Sequence, residues 1–196
     1  MIDSQLLHSL TNFGSTAVLI PVSAAFLVWL LFQPSKQLAV WWLVAAGVCI
    51  CGTAVLKILF FVCPPDPDLR SPSGHTSLST LVYGALAMLL AAYGQGWWRR
   101  FSVAIGSLLV LSIAVSRVLL SAHTVVETGL GLAIGLAALG IFCGAYWTVR
   151  PGIVHLRPLF LGVALLIALL HGQQLHAEEL LRAFGFYLKA GGASCS

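Results

Sequence analysis

Charged residues are scarce in this chain of 196 residues: Asp, Glu, Lys and Arg together make up only 8% of it. A soluble domain carries about 25% of these residues and uses them to cover a surface in contact with water. Hydrophobic residues make up 59% of the chain instead. This composition excludes an ordinary water-soluble fold and predicts that much of the outer surface faces lipid.

Three further shortages exclude other classes of protein. The cysteines are odd in number and their spacing forms no framework, so we expect small packing residues and no structural set of disulfides. The first ten residues contain no Lys or Arg, which argues against a cleavable signal peptide. The net charge of +4 comes from scattered basic residues, whereas nucleic-acid binding needs a basic stripe with stacking aromatics. The cysteines are Cys49, Cys51, Cys63, Cys143 and Cys195.

What the chain does contain is a series of apolar runs, each close to the 20 or so residues that cross a bilayer. Six runs cover residues 14–33, 38–62, 76–94, 101–121, 123–148 and 153–171. An amphipathic segment at residues 173–189 is typical of a helix lying on a membrane surface. We therefore predict an all-α integral membrane bundle of six transmembrane helices with a C-terminal interfacial helix. Residues 1–196 are expected to form a single domain with its core at 38–148.

Tryptophan and basic residues predict how these runs thread the membrane. Tryptophan favours the membrane–water interface, and an excess of Lys and Arg in short loops marks the cytoplasmic side. Six alternating spans bring both kinds of residue to one face: Trp29, Trp41, Trp42, Trp97, Trp98 and Trp147 with Lys36, Arg99, Arg100, Arg150 and Arg157. The opposite face then receives Lys57, Arg70, His75, Arg117, His123 and Glu127. Ionisable groups beside membrane helices are costly and indicate a functional site.

The first candidate group is the turn Pro72-Ser73-Gly74-His75, which precedes the third run. A bend that leads into a helix N-terminus presents backbone N–H groups to an anion, and Ser73 adds a hydroxyl donor. His75 stands where it can donate or accept a proton. A motif of four residues is only a hypothesis, and an ordinary loop is the alternative.

The second candidate group joins Arg117, His123 and Glu127. His123 and Glu127 are four residues apart and share a helix face, so the carboxylate can orient the imidazole. The alternative is a purely structural His–Glu hydrogen bond. Arg117 offers a planar guanidinium that matches phosphate oxygens, and Lys57 is either a further cation or a lysine that snorkels to the interface. Together the groups suit phosphoryl transfer, which needs cations, an in-line nucleophile and an acid.

These residues resemble a known family signature. Lys57, then Pro72-Ser73-Gly74-His75, then Ser116-Arg117-x5-His123-x3-Glu127 is similar to the three-part signature of the type 2 phosphatidic acid phosphatase family. The resemblance implies a metal-independent phosphatase that needs no cofactor and forms a phosphohistidine intermediate. It also implies a multi-pass protein of the bacterial plasma (inner) membrane whose active site faces the periplasm or outside.

The resemblance implies a role for each residue that matches a position in the family motifs. His123 resembles the nucleophile, Glu127 the carboxylate that orients it, and His75 the general acid that protonates the leaving group. The phosphate-binding residues of the family correspond to Lys57, Ser73, Gly74 and Arg117.

Two departures from the family pattern stand out. Pro64 occupies the position where the first motif of the family has an arginine. Arg70 is a candidate to supply that contact, and pairing of Arg70 with Asp66 or Asp68 is the alternative. The second departure is Glu127, where the family has aspartate. Both point to an altered substrate or a degenerate enzyme.

The leading hypothesis is therefore a lipid phosphatase acting on phosphatidic acid, phosphatidylglycerol phosphate, a polyprenyl diphosphate or a lipid A phosphate. A lipid phosphotransferase of the same family is one alternative. A non-catalytic transporter or lipid-binding protein is another, although it would favour internal repeats, which the sequence does not show. The expected partners are the lipid phosphate and membrane lipids, without nucleic acid. A metal site built from His75, His123, Glu127 and Asp66 is disfavoured by the nearby cations.

Overall fold

The computed structural model describes residues 4–63, 69, 71–152, 155–173 and 183, which form helices and, within those ranges, no strand. The helices are α1 (Ser4–Phe13), α2 (Thr16–Leu31), α3 (Gln37–Val62), α4 (Gly74–Tyr93), α5 (Trp97–Leu119), α6 (Val125–Val149) and α7 (Arg157–Leu170). The predicted all-α membrane bundle is thereby confirmed. The predicted interfacial helix at 173–189 lies almost entirely outside the described residues.

Five segments of the described chain are long and apolar enough to cross a membrane. Four of them are α3 to α6, and the fifth runs through α1 and α2 together. α7 follows the sixth predicted run but has only 14 residues, about 21 Å at the helical rise, against a hydrocarbon thickness of about 30 Å. It begins where Pro158 fits the first helical turn.

α1 was not among the predicted apolar runs. Its ten residues, SQLLHSLTNF, mix polar and apolar side chains, so they contain no long apolar run. The chain breaks at Gly14 and Ser15 before α2 begins. The N-terminal part of the chain is thus two helices where the sequence indicated one.

Hydrogen bonds at both ends of the bundle agree with the predicted threading. Trp29 Nε1 donates to the carbonyl oxygen of His155 at 2.9 Å, which joins the end of α2 to the connection before α7. At the other end, His171 Nε2 donates to the carbonyl oxygen of Ser9 at 3.1 Å. We call the end with the starts of α4 and α6 the site face, and the opposite end, with the short basic turns, the basic face.

Trp42 corrects one expectation about the interface. It was predicted to mark the membrane surface, yet its side chain is only 1% exposed. Its ring packs edge-on against Phe26 and Phe142, with centroids 4.4 and 5.2 Å away, and its Nε1 donates to the carbonyl oxygen of Ser23 at 3.1 Å. The large ring fills the space between α2, α3 and α6, and burial is favourable because its N–H has a hydrogen-bond partner there. Trp29 is buried as well.

Gly131 and Gly135 let α6 lie directly on α4. A Cβ atom at Gly131 would stand 2.4 Å from the carbonyl oxygen of Ser73, and one at Gly135 would stand 2.5 Å from that of Ser77. No side chain fits at such distances, so only glycine allows this approach. Two small residues four positions apart allow helices to pack this closely, and the contact holds the start of α4 against the first turns of α6.

Cysteine pairing differs from the expectation. Cys63, which follows α3 at the site face, is disulfide-bonded, whereas Cys49, Cys51 and Cys143 are free. The expectation that the cysteines are only small packing residues is therefore wrong for Cys63. Spacing along the sequence could not show this bond, because a disulfide depends on which residues the fold brings within reach of each other.

Candidate functional site

Ser73 caps the start of α4. Its backbone is extended, and its Oγ accepts hydrogen bonds from the backbone N of Thr76 at 3.4 Å and from Thr76 Oγ1 at 3.1 Å. The Ser73 hydroxyl proton is left to point elsewhere. The predicted bend into a helix N-terminus is present, and α4 begins at Gly74. The first N–H groups of α4 therefore lie at the site face, where an anion can meet them.

Thr124 and Glu127 start α6 with a capping box. Thr124 Oγ1 accepts from the backbone N of Glu127 at 3.2 Å, and Glu127 Oε2 accepts from the backbone N of Thr124 at 3.0 Å. Thr124 was not among the predicted site residues, although Thr-x-x-Glu before an apolar run is the sequence signature of a capping box. The box fixes the Glu127 side chain at the head of the helix.

His123 and Glu127 are in contact as predicted, but not on one helix face, because His123 lies in the loop before α6, which begins at Val125. His123 Nδ1 lies 3.0 Å from Glu127 Oε2, and the two side chains are only 5% and 2% exposed. A carboxylate oxygen accepts, so Nδ1 is the donor and carries the ring proton. The Nε2 atom of the neutral ring then keeps its lone pair for reaction.

Glu127 also connects the two candidate groups, which no motif indicated. Its Oε1 accepts from the backbone N of Ser71 at 2.9 Å, and its own carbonyl oxygen accepts from the backbone N of Ser73 at 3.0 Å. One residue at the head of α6 thus holds the turn before α4 and the ring of His123. The extra methylene of glutamate over aspartate gives the carboxylate more reach for the contact with Ser71.

Arg117 lies in the last turn of α5 and shapes the loop that carries His123. Its carbonyl oxygen accepts from the backbone N of Ala122 at 3.0 Å and of His123 at 3.2 Å. Ser121, between them, adopts a left-handed backbone with φ of 53°, which turns the chain sharply at the end of α5. At the side-chain end, Arg117 Nη1 donates to Thr11 Oγ1 of α1 at 3.2 Å.

Lys57 points into the bundle. It is only 5% exposed, and its Cε is 3.8 Å from the position that a Cβ atom at Gly74 would occupy. Lys57 therefore lies beside the start of α4, which argues against a lysine that only snorkels to the membrane surface.

His123 has a pKa below the ordinary value of 6.5 for a histidine. Burial is the largest cause, because it disfavours the charged ring. The hydrogen bond to Glu127 acts in the opposite direction, and the positive charges of Arg117 and Lys57 lower the pKa further. His123 is therefore neutral at pH 7, and both cations are near enough to act on it.

His75 is the second residue of α4 and is half-buried. A Cβ atom at Gly14 would lie 3.5 Å from His75 Cβ, so the corner between α1 and α2 covers this histidine. His75 stands two residues after Ser73, whose N–H bonds to Glu127. His75 and His123 thus belong to the same end of the bundle.

Some predicted residues lie outside this geometry. Arg70, Asp66 and Asp68 are outside the described residues, so the proposed replacement of the missing arginine stays a prediction. Across the described part of the chain, no group of three or more His, Cys, Asp or Glu side chains converges as metal ligands do.

The chain is similar to a known protein family and to a bacterial protein. Residues 57–151 match the model of the PAP2 superfamily, a segment that begins at Lys57 and includes both candidate groups. The chain is also 28% identical, over 134 residues, to an uncharacterized 22.5 kDa protein in the cps region of Klebsiella pneumoniae. That match covers 66% of this chain and 64% of the relative, so the chain spans slightly less than two thirds of the relative's length. No solved structure matches.

The segment that matches the family contains the candidate site. The matched segment runs from α3 to the end of α6 and holds Lys57, the α4 turn, Arg117, His123 and Glu127. Members of this family are phosphatases. Residues 57–151, just under half of this multi-pass membrane protein, are therefore similar to the PAP2 superfamily.

Proposed function

We propose that this protein is an integral membrane lipid phosphatase that hydrolyses a phosphate monoester or diphosphate on a lipid through a phosphohistidine intermediate. One observation carries the proposal. His123 Nδ1 donates a hydrogen bond to buried Glu127 at 3.0 Å, and the positive charges of Arg117 and Lys57 lower the pKa of the ring. A neutral imidazole with a free Nε2, set among cations, is suited to attack a phosphoryl group.

In the first step, the N–H groups at the start of α4 bind the phosphoryl oxygens together with Ser73, Arg117 and Lys57. Nε2 of His123 attacks phosphorus, and the bond from phosphorus to the lipid oxygen breaks as the N–P bond forms. His75 gives its proton to the leaving lipid oxygen. Glu127 stabilises the positive charge that develops on the imidazole ring.

In the second step, water attacks the phosphohistidine. His75, now neutral, accepts a proton from that water, the N–P bond breaks, and inorganic phosphate leaves. His123 regains its lone pair on Nε2 and His75 regains its proton. These two reaction steps require no metal ion, since the cations of the site compensate the charge of the phosphoryl oxygens.

The surroundings of the site support a lipid as substrate. The bundle has five segments able to cross a membrane, and the site lies at their ends. A phosphorylated head group at the interface reaches such a site while its tail stays in hydrocarbon. Phosphatidic acid, phosphatidylglycerol phosphate, a polyprenyl diphosphate and a lipid A phosphate all have this form.

Two observations support a site outside the cytoplasm of a bacterial inner membrane. The basic turns Lys36, Arg99–Arg100 and Arg150 lie at the opposite end of the bundle, as cytoplasmic loops do. Cys63, at the site face, is disulfide-bonded, and such bonds persist mainly in oxidising compartments.

A phosphate-release panel tests the proposal. Protein purified in detergent would be assayed with the four lipid phosphates and with soluble glycerol phosphate at equal concentration. We expect release from at least one lipid and far less from glycerol phosphate, because the site opens at the membrane. Release from none of them would contradict a phosphatase, and appearance of labelled phosphate on a second lipid would indicate a phosphotransferase.

His75→Ala should affect substrates according to their leaving groups. We expect about a 100-fold lower kcat/KM with a lipid phosphate, whose alkoxide needs a proton, and less than about a tenfold loss with nitrophenyl phosphate, whose phenolate leaves without one. The measurement compares both substrates on the same preparation, which controls for the amount of folded enzyme. Equal losses on both would remove His75 from the role of general acid.

A further inference from the structure

α1 lies on the site face although the three motifs do not include it. It packs against the end of α5, and Tyr83 of α4 donates its hydroxyl proton to the carbonyl oxygen of Phe13 at 2.7 Å. One turn before Phe13, the Ser9 carbonyl accepts from His171. α1 is therefore attached to α4, α5 and the end of α7 around the site.

The chain turns at Gly14, between α1 and α2, and there it lies very close to α4 and α5. A Cβ atom at Gly14 would stand 2.6 Å from Ile113 Cγ2 and 3.5 Å from His75 Cβ. The chain thus passes directly over the start of α4 and the last turns of α5. This course brings Gly14 close to His75 and Thr11 close to Arg117.

Thr11 makes the polar contact between α1 and the site. It is only 6% exposed, and its Oγ1 accepts from Arg117 Nη1 at 3.2 Å. An arginine side chain has many rotamers, and fixing them costs conformational entropy. A buried acceptor on a neighbouring helix removes most of that freedom before any phosphate arrives.

We propose that Thr11 is a positioning residue: its hydroxyl holds the Arg117 guanidinium in the orientation that receives a phosphoryl group, which makes α1 part of the phosphate site. This inference rests on the proposed function. It adds to the site a residue from a helix that lies outside residues 57–151, the segment that matches the family.

Thr11→Val removes the acceptor and keeps the β-branched shape. We expect it to lower kcat/KM for the lipid phosphate about tenfold and to weaken orthovanadate binding by a similar factor, since a hydrogen bond to a charged group is lost. Thr11→Ser keeps the hydroxyl and should stay within about threefold of wild type. Thr148→Val is the matched control and should change neither value, because among the described residues the Thr148 hydroxyl bonds to the Gly144 carbonyl alone, within α6 at the basic face.

A double mutant separates positioning from packing. Arg117→Ala alone should lower kcat/KM strongly, and adding Thr11→Val to it should change the rate by less than about twofold, because nothing remains to be positioned. Losses that multiply in the double mutant would overturn the inference and indicate that Thr11 only supports the fold. Size-exclusion profiles and thermal midpoints of all variants would show whether each one is folded.

Orthovanadate binding, measured by the shift in thermal midpoint, tests the inference independently of turnover. If wild type turns over lipid phosphates and Thr11→Val binds vanadate equally well, the positioning role is wrong while the phosphatase stands. If wild type neither turns over substrate nor binds vanadate, the phosphate site and the inference fail together. Vanadate binding that depends on Thr11 without any turnover would support the inference and refute the hydrolase.

Discussion

His123→Ala is expected to lower kcat/KM for phosphate release from a lipid substrate at least about 1,000-fold. The ring supplies the only atom that we propose to bond to phosphorus, and alanine leaves nothing in its place. The phosphorylated intermediate, trapped with labelled substrate by rapid denaturation in alkali, should vanish in the same variant. The protein should still insert and fold, because the imidazole side chain makes one hydrogen bond, to Glu127.

His155→Ala is the matched control for this result. His155 lies at the basic face, is exposed, and contributes its backbone carbonyl to Trp29, so alanine keeps that bond. We expect its kcat/KM to equal that of wild type. Wild-type turnover by purified His123→Ala would end the assignment of the nucleophile.

Glu127→Gln is expected to lower kcat/KM about 100-fold or more. Glu127 accepts from His123 Nδ1, from the backbone N of Thr124 and from the backbone N of Ser71. A glutamine has one acceptor oxygen, so its amide N–H groups must face either Ser71 or the His123 side. If the N–H groups face His123, they donate to Nδ1, so the ring proton moves to Nε2 and the lone pair needed for attack is lost. In either orientation, the negative charge that stabilises the imidazolium is lost as well.

Glu127→Asp is the informative comparison for that variant. Aspartate keeps the charge but is one methylene shorter, so it can retain His123 and lose the link to Ser71. We expect a loss of about tenfold, smaller than that of glutamine. If glutamine and aspartate at this position both match wild type in kcat/KM, Glu127 does not orient His123.

Much of the architecture could be predicted because its signal is local or periodic. The apolar runs correspond to α2 through α7 in order, since a helix in lipid needs a long stretch of apolar side chains whatever its neighbours are. The contact of His123 with Glu127 was also predicted, although it arises where the Glu127 side chain folds back over the start of α6 and not from a shared helix face. The close approach at Gly131 and Gly135 likewise follows from the small size of two residues one turn apart.

Other features depend on which helices become neighbours, and no local pattern contains that information. Thr11 and Arg117 are 106 positions apart, and Ser71 and Glu127 are 56 apart. Trp42 was predicted at the interface but is buried, because Phe26 and Phe142 come from two other helices to enclose it. The disulfide at Cys63 belongs to the same class of contact.

Local patterns therefore predicted the membrane helices, their threading and the residue types of the proposed phosphate site, since each of these depends on side chains close together in the chain. Assembly of the bundle settled which groups hold those residues in place: the Glu127 carboxylate that ties two motifs together and the α1 helix beside Arg117. The physical reason is that a side-chain hydrogen bond needs its two atoms within about 3 Å, a distance that helix packing determines and residue order does not.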